Sequence, residues 1–288
     1  PSADLNLFLY NPSGAFAKGT GGSSAKPESI TYQTGVTGTW KLGVKAIAGS
    51  ASYTLSVEVT PSGGGGPVAP SYLRTIGGPG HAGIYPSGLD GGPGGIVYAA
   101  ETGSSQVAAL SDAGTELWHV GTRGSGALGR YLYPRDVAFA SGKVYVGDTG
   151  NGRVVVIDAA DGSPISQWTG FSGLMGISAG ISGAGDPVIL VTEDQRHQVQ
   201  VRSLTGTVIR TIGTGPGTAN GQLRQPRDAA TDTAGNVYVA DYLNNRVRKI
   251  GVDGIITTFA GNGQVCIDAL CGEGGPAVNA RITRPRSL

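Results

Sequence analysis

Three arginines occupy the same position of a recurring sequence pattern, each directly after a proline. They are Arg135, Arg227 and Arg286. A guanidinium group binds carboxylates and phosphates through paired N–H donors. If the repeats close around a common axis, these side chains converge on one end of a central channel. The pattern therefore predicts a ligand-binding site for an anion such as a carboxylate, a phosphate or an acidic glycan.

The competing interpretation is that each arginine pairs with an aspartate of its own repeat. The aspartates in question are Asp136, Asp148, Asp228 and Asp241. Two other copies of the pattern carry Ser87 and Gly176 where the arginine is expected, which favours the ion pairs. Both interpretations stay open on the sequence alone.

An acidic residue marks a second recurring position, followed each time by a polar turn. Its members are Glu101, Asp148, Glu193 and Asp241, spaced 47, 45 and 48 residues apart. A carboxylate at a turn accepts backbone N–H groups and holds the turn. Calcium needs six to eight oxygens, whereas each copy supplies a single acid. We therefore expect turn stabilisation and predict no metal site.

The histidines argue against a catalytic metal centre. A catalytic zinc ion needs about three protein ligands held together, and His81, His119 and His197 fall in different repeats at different positions. There is also no Gly-x-Ser-x-Gly elbow on a strand-to-helix turn with a paired histidine. The sequence therefore predicts no catalytic residue and no cofactor.

The two cysteines, Cys266 and Cys271, lie in the glycine-flanked segment QVCIDALCGEGG. In an exported protein, a short-loop disulfide is the natural interpretation. Zinc would need two further ligands nearby, and none has suitable spacing. We predict that the two cysteines form a disulfide.

Composition limits the fold class and the partners. Glycine accounts for 51 of 288 residues, only 14% of residues are charged, and the formal net charge is +1. Scattered glycine with Val, Thr, Ile and Tyr is typical of many short strands joined by tight turns. A net charge this small creates no field that would recruit nucleic acid. No apolar run is long enough to cross a bilayer, so no membrane insertion is expected.

A strand–turn–strand unit repeats along most of the chain. It reads GNVYVADYLNNRVRKI at residues 235–250, and copies begin at Gly94, Gly142 and Pro187. Alternating apolar residues on both sides of a turn indicate paired strands. For one copy we predict strands at residues 135–140, 143–148, 153–158 and 165–169. Four short strands in about 45 residues are typical of a β-propeller blade, and at least four blades can be recognised.

These landmarks, above all QPRDAATDTAGNVYVADYLNNRVRKI, resemble the NHL repeat of six-bladed propellers. The resemblance covers residues 73–288, and the tail GEGGPAVNARITRPRSL is similar to a glycine-rich inter-blade loop of bacterial members. Six blades need more residues than follow position 70, so we expect a propeller that is incomplete at both ends. Some animal NHL propellers bind RNA through a basic face studded with aromatic residues. Arg224, Arg281 and Arg284 lack interleaved aromatic residues, so no nucleic-acid partner is expected.

The first 60 residues are different. The segments DLNLFLYNPSG, SITY and TGTWKLGVKAIAGSASYTLSVEV resemble the bacterial pre-peptidase C-terminal domain, a small β-sandwich of exported proteins. Strands that precede this motif in the family are missing here. The sequence thus predicts an all-β chain with a β-sandwich at residues 1–60, a Gly/Pro linker at 61–70 and a propeller at 71–288. The resemblance implies a secreted or cell-surface bacterial protein.

The function expected from this organisation is recognition. Loops on a rigid scaffold are where binding usually resides, so we expect a non-enzymatic, exported binding or adhesion module. Its partner would be a protein or a glycan, bound through the propeller loops and the channel face. The alternative is a propeller enzyme of lyase or lactonase type, or an accessory region of a secreted hydrolase whose catalytic part lies elsewhere.

Overall fold

A computed structural model describes residues 4–10, 16–19, 41–48, 86–266, 271 and 275–288. The chain divides into two compact units, Pro1–Gly78 and Pro79–Leu288. The first unit contains an antiparallel sheet in the order β2-β1-β3, formed by β1 (Asp4–Tyr10), β2 (Phe16–Gly19) and β3 (Lys41–Ala48). The strand predicted at the Leu5–Tyr10 stretch is thus present. The predicted linker and the remaining sandwich strands lie outside the described residues, and the assignment to the pre-peptidase family stays a prediction.

The second unit is built from four-stranded antiparallel sheets, which we call blades one to four. Blade one comprises β4 (Pro86–Gly91), β5 (Val97–Glu101), β6 (Gln106–Leu110) and β7 (Glu116–Val120), followed by a parallel pair, β8 (Thr122–Arg123) and β9 (Arg130–Tyr131). Blade two comprises β10 (Pro134–Ala140), β11 (Lys143–Asp148), β12 (Arg153–Asp158) and β13 (Pro164–Thr169). Blade three comprises β14 (Leu174–Ile181), β15 (Pro187–Glu193), β16 (Gln198–Ser203) and β17 (Val208–Ile212). Blade four comprises β18 (Ala229–Thr231), β19 (Val237–Asp241), β20 (Arg246–Ile250) and β21 (Ile256–Ala260).

The prediction of an all-β propeller with at least four blades is therefore confirmed. The strands predicted for blade two differ from the observed ones by no more than one residue at any end. Short 3-10 turns occur at Pro93–Gly95, Thr149–Asn151, Tyr242–Asn244 and Ala277–Asn279. No helix in the described part of the chain has the length and apolar character required to cross a membrane.

The hydrophobic core lies between neighbouring blades. Strand β11 shows why, because its alternate residues enter two different cores. Val144 and Val146 pack with residues of blade one, while Tyr145 packs with residues of blade three. A third cluster joins blades three and four around Leu190, Val239 and other buried side chains. Both faces of each inner blade are thus covered, which explains why its strands read as nearly continuous apolar runs.

A left-handed residue closes the turn between the second and third strand of every blade. It follows the recurring acid by four positions, at Ser105, Gly152, His197 and Asn245, with φ between 51° and 61°. This conformation reverses the chain tightly. The acid is thereby fixed at the end of the second strand, opposite the start of the first.

Residues 275–288 extend along blade four. Backbone bonds run from Gly261 N to Ala277 O and from Asn262 N to Ala280 O, both 2.9 Å. Near the end, Leu288 N donates to Asp228 Oδ2 at 2.9 Å. These contacts place Arg286 beside the first strand of blade four.

Candidate functional site

A β-bulge lies at the start of the first strand of each blade or directly before it. The pairing register shifts between Pro134 and Asp136 in blade two, and between Pro86 and Gly88 in blade one. In blade four the two-against-one pairing is explicit. Arg227 N donates to Ala240 O at 3.0 Å, and Ala240 N donates to Asp228 O at 2.9 Å. A bulge re-aims side chains because it interrupts the strict alternation of faces.

The extra residues of these bulges line one cavity. The cavity has a volume of about 240 Å³ and is lined by Ser87, Arg135, Met175, Arg227 and Arg286. Four of these residues come from the starts of four successive blades, and Arg286 comes from the segment after blade four. The structure thus brings the three arginines singled out in the sequence to a single place. We call this set the arginine mouth.

The repeat alignment of blade three requires a correction. The sequence placed Gly176 at the arginine position, but the structure places Met175 there. Leu174 pairs with Glu193 as Pro134 pairs with Asp148, so the next residue, Met175, is the bulge residue. Blade three lacks the proline that marks the position elsewhere, and a bulge leaves no signature in the hydrophobic pattern.

A second tier of side chains lies directly below the arginine mouth. A cavity of about 480 Å³ shares its arginines and adds the carboxyl groups of Asp90, Asp136 and Asp228, with Ser287 beside them. Asp136 and Asp228 each follow an arginine in sequence, and the bulge lets both neighbours face the same space. Gly88 leaves room for this tier, since a Cβ atom there would collide with the Asp136 carboxylate. We call Asp136, Asp228 and Ser287 the carboxylate tier.

The carboxylate tier also joins the blades. Asp136 accepts hydrogen bonds from Val137 N at 3.0 Å and from Ile177 N of blade three at 2.9 Å. Burial raises the pKa of Asp136 to about 7; the N–H of Ile177 opposes this shift, and the charges of Asp228 and Asp90 add to it. Burial also raises the pKa of Asp228, against the hydrogen bonds from Leu288, Ala229 and Ser287.

One side of the arginine mouth is organised around the Tyr242 ring. The guanidinium carbons of Arg227, Arg286 and Arg284 lie 4.6, 5.6 and 5.8 Å from its centroid. Arg286 also donates to the Tyr242 hydroxyl at 3.5 Å. Burial opposes ionisation of this phenol, but the Arg286 bond and the charges of the three arginines outweigh it and lower the pKa of Tyr242. Three guanidinium groups thus share one aromatic ring.

The arginines do not form the ion pairs that the sequence offered as the alternative. Arg227 pairs with Asp194 at 3.3 Å, an acid outside the four considered. Among the described residues, the Arg135 side chain has no hydrogen-bond, ion-pair or aromatic partner. Arg227 Nε is buried and unpaired within the same part of the chain. The Arg135 guanidinium thus remains available to a ligand, whereas Arg227 Nε has no surface that a ligand could contact.

The turn acids are structural, although their backbone partners differ from those expected. Asp148 Oδ1 accepts the N–H of Leu132, which lies sixteen positions earlier and outside the turn. The other oxygen of Asp148 accepts hydrogen bonds from Asn151 Nδ2 at 2.8 Å and from Arg153 Nε at 2.7 Å. Asp241 repeats this arrangement with Arg224 N and Asn244 Nδ2. The acids therefore anchor the segment that leads into the first strand, immediately before the arginine mouth.

That leading segment is strained in three of the repeats. Tyr133, Gln225 and Arg284 directly precede the prolines, and their φ angles are 52°, 50° and 47°. A non-glycine residue in this region costs about 1–3 kcal/mol, and such strain concentrates at functional sites. Sequence reasoning missed Tyr133, Gln225, Met175, Tyr242 and Ser287. It considered Asp136 and Asp228 only as ion-pair partners of the arginines, and Arg284 only as part of a basic corner.

The remaining candidates lie apart from the arginine mouth. Cys266 and Cys271 are paired as a disulfide, with Cα atoms 5.4 Å apart. Among the histidines, His119 lies 3.3 Å from Glu101 and His197 accepts the N–H of Gln225. His81 lies outside the described residues. Where the structure describes the chain, no group of three or more His, Cys, Asp or Glu side chains is placed to hold a metal ion.

The fold and the repeat geometry define a β-propeller that contains NHL repeats. The NHL repeat model matches residues 131–157 and 223–250, which lie in blades two and four. No curated protein matches the chain.

Solved structures show similarity at the level of fold. The structure of U3-55K is 16% identical with a TM-score of 0.50, over 65% of this chain and 54% of that one. The structure of the RRP9 WD40 repeats is also 16% identical with a TM-score of 0.50, and the match covers 65% of this chain and 53% of that one. A catalytically inactive virginiamycin B lyase from Staphylococcus aureus with quinupristin is 16% identical with a TM-score of 0.49, over 64% and 57%. The chain thus spans a little over half the length of these proteins.

Proposed function

We propose that this chain is a non-enzymatic binding module whose arginine mouth receives an anionic group of a glycan or protein ligand. The observation that carries the proposal is a guanidinium group without a partner in a cavity that three arginines line. Arg135 is exposed and has no side-chain partner among the described residues, and Arg227 and Arg286 line the same cavity. A hydrogen bond to a charged group contributes about 1.5–3 kcal/mol, and an oxygen of a bound anion would form one with Arg135.

The geometry around these donors supports the same proposal. Arg227 and Arg286 are held against the Tyr242 ring, so little rotamer freedom remains to be lost on binding. The bulges and the strained residues before the prolines fix the backbone from which the arginines project. A preorganised group of cations is suited to bind a carboxylate or phosphate.

The environment in which the module would act is proposed from sequence resemblance. The segments similar to the pre-peptidase C-terminal domain support a secreted or cell-surface location, where the Cys266–Cys271 disulfide would persist. Mass measurement after alkylation tests the disulfide. Two alkylated thiols before reduction would overturn it.

The binding proposal is tested by isothermal titration of the full chain with inorganic phosphate and with acidic oligosaccharides. Arg135→Ala removes one guanidinium that has no hydrogen-bond, ion-pair or aromatic partner among the described residues. A charge-assisted hydrogen bond contributes about 1.5–3 kcal/mol, so affinity should fall by roughly tenfold or more. Binding should also weaken as salt is raised.

The matched control is Lys249→Ala. Lys249 lies over Tyr238 on blade four and does not line the arginine mouth. The variant changes net charge by the same amount, and its affinity should equal that of the unmodified chain. Unchanged affinity in Arg135→Ala, or an equal loss in the control, would overturn the proposed site.

A further inference from the structure

We propose that the anion received by the arginine mouth is an acidic sugar, bound by its charged group to the arginines and by its hydroxyls to the carboxylate tier. This inference rests on the proposed function and adds the chemical class of the ligand. It follows from the two tiers that the bulges bring to one cavity, which present cationic donors above and oxygen acceptors directly below.

The arginine mouth alone would accept any small anion. The tier below it presents a different chemistry, because Asp136, Asp228 and Ser287 all line the larger cavity. A carboxylate has about four lone-pair sites. In Asp136, one lone pair of Oδ1 accepts the N–H of Val137 and one lone pair of Oδ2 accepts the N–H of Ile177. Lone pairs therefore remain on both oxygens for hydroxyl donors of a ligand.

Asp136 can act as a donor as well as an acceptor. Burial raises the pKa of Asp136 to about 7, so near neutral pH this carboxyl is partly protonated. A carboxyl in that state donates one hydrogen bond and accepts others, as a hydroxyl-bearing ligand requires. A simple inorganic anion offers no hydroxyls on carbon to fill this tier, and its place would be taken by water.

The size and the remaining lining agree with a sugar. The cavity of about 480 Å³ lies within the range of ~300–1,000 Å³ that is usual for small-molecule sites. Met175 lies between the arginines, and Val137, Phe139 and Ile177 line the deeper part. Such apolar side chains pack against the C–H face of a pyranose ring, while the hydroxyls point to the polar groups. Charge, hydroxyls and an apolar face are combined in a uronate or a sugar phosphate.

The test is a matched ligand series titrated into the full chain. The probes are glucuronate, cyclohexanecarboxylate, glucose and glucose 6-phosphate, with inorganic phosphate as the simple anion. Cyclohexanecarboxylate has the six-membered ring and the carboxylate but no hydroxyls, whereas glucose has the hydroxyls but no charge. A site that hydrogen-bonds hydroxyls discriminates strongly against analogues that lack them. We expect glucuronate or glucose 6-phosphate to bind at least ~10-fold more tightly than the analogue lacking either feature.

The outcomes separate this inference from the proposed function. If cyclohexanecarboxylate or inorganic phosphate binds as tightly as the sugar acids, and Arg135→Ala weakens that binding roughly tenfold or more, the anion site stands and the sugar inference is wrong. If no anion binds, both are wrong. Preference for glucuronate over glucose 6-phosphate, or the reverse, identifies the charged group.

A variant links the discrimination to the carboxylate tier. Asp228→Asn should reduce the preference for glucuronate over cyclohexanecarboxylate by about tenfold, the value of one charged hydrogen bond. Asp112→Asn, at an exposed turn of blade one, is the matched control and should keep the preference. If Asp228→Asn fails to fold by circular dichroism, Ser287→Ala replaces it, since Ser287 is exposed and its hydroxyl bonds to Asp228. A preference unchanged in the folded variant would overturn the assignment.

Discussion

Removal of the Asp148 carboxylate should destabilise the propeller more than any surface substitution. Asp148 is fully buried, and its oxygens bind Leu132 N, Asn151 Nδ2 and Arg153 Nε at 2.7–2.8 Å. Asp148→Ala leaves these donors without that acceptor. It also leaves the Arg153 charge, whose side chain is only 5% exposed, without its counter-ion. Breaking a buried ion pair in this way costs about 3–5 kcal/mol.

The measurement is urea unfolding of the full chain, followed by far-UV circular dichroism. Asp148→Ala should lower the free energy of unfolding by about 3–5 kcal/mol. Asp112→Ala, at an exposed turn, should change it by no more than ~0.5 kcal/mol. Asp148→Ala combined with Arg153→Met removes the orphaned charge and should recover at least ~1 kcal/mol of the loss.

Two results would refute this reasoning. A loss below about 1.5 kcal/mol for Asp148→Ala would mean that the remaining carbonyl acceptors of Arg153, at Gly126, Ala127 and Arg130, suffice to hold it. A double variant no more stable than the single one would mean that the buried charge is not the source of the loss.

The remaining predictions concern the cavity and one turn. Since the pKa of Asp136 is raised from 3.8 to about 7, the folded chain binds more protons than the unfolded chain between these values. Stability should therefore fall as pH rises from about 4 to about 7, by up to about 4 kcal/mol, and Asp136→Asn should flatten this part of the pH profile in thermal unfolding. Arg227→Ala should lower the free energy of unfolding by about 1–2 kcal/mol, because it removes the ion pair with Asp194 and the contact with the Tyr242 ring. Arg135→Ala should leave the unfolding midpoint unchanged. Equal effects of the two variants would contradict this prediction. Gly213→Ala should lower the free energy of unfolding in urea more than Gly170→Ala does. Both glycines have positive φ, but only at Gly213 would the added Cβ collide with a backbone atom, the carbonyl oxygen of His197.

Much of the propeller could be predicted from the sequence because its evidence is local. The alternation of Val144, Tyr145 and Val146, repeated at a fixed period, specifies short strands buried on both faces. The recurring acid marks the end of the second strand wherever it occurs. Prolines mark the start of the first strand in blades one and two, and Pro226 precedes the first strand of blade four by three residues. Strand bounds in blade two followed from these landmarks to within one residue.

The candidate site could be predicted only in part. The prolines aligned Arg135, Arg227 and Arg286, so their common position was visible in the sequence. Blade three has no such proline, and the bulge inserts one residue without changing the apolar pattern. The arginine position of blade three was therefore assigned to Gly176, one residue after Met175, which occupies it in the structure. Asp194, the partner of Arg227, was not predicted because it belongs to the neighbouring blade.

The sequence by itself determined the repeat, the strands and the residue types at each repeat position, because hydrophobic period and turn chemistry act over a few residues. Only the tertiary structure decided which of those positions share a cavity. The bulges allow two consecutive residues to face the same space, and the packing of successive blades brings side chains 40–60 residues apart into contact. Both effects depend on contacts between blades, which one repeat read alone does not contain.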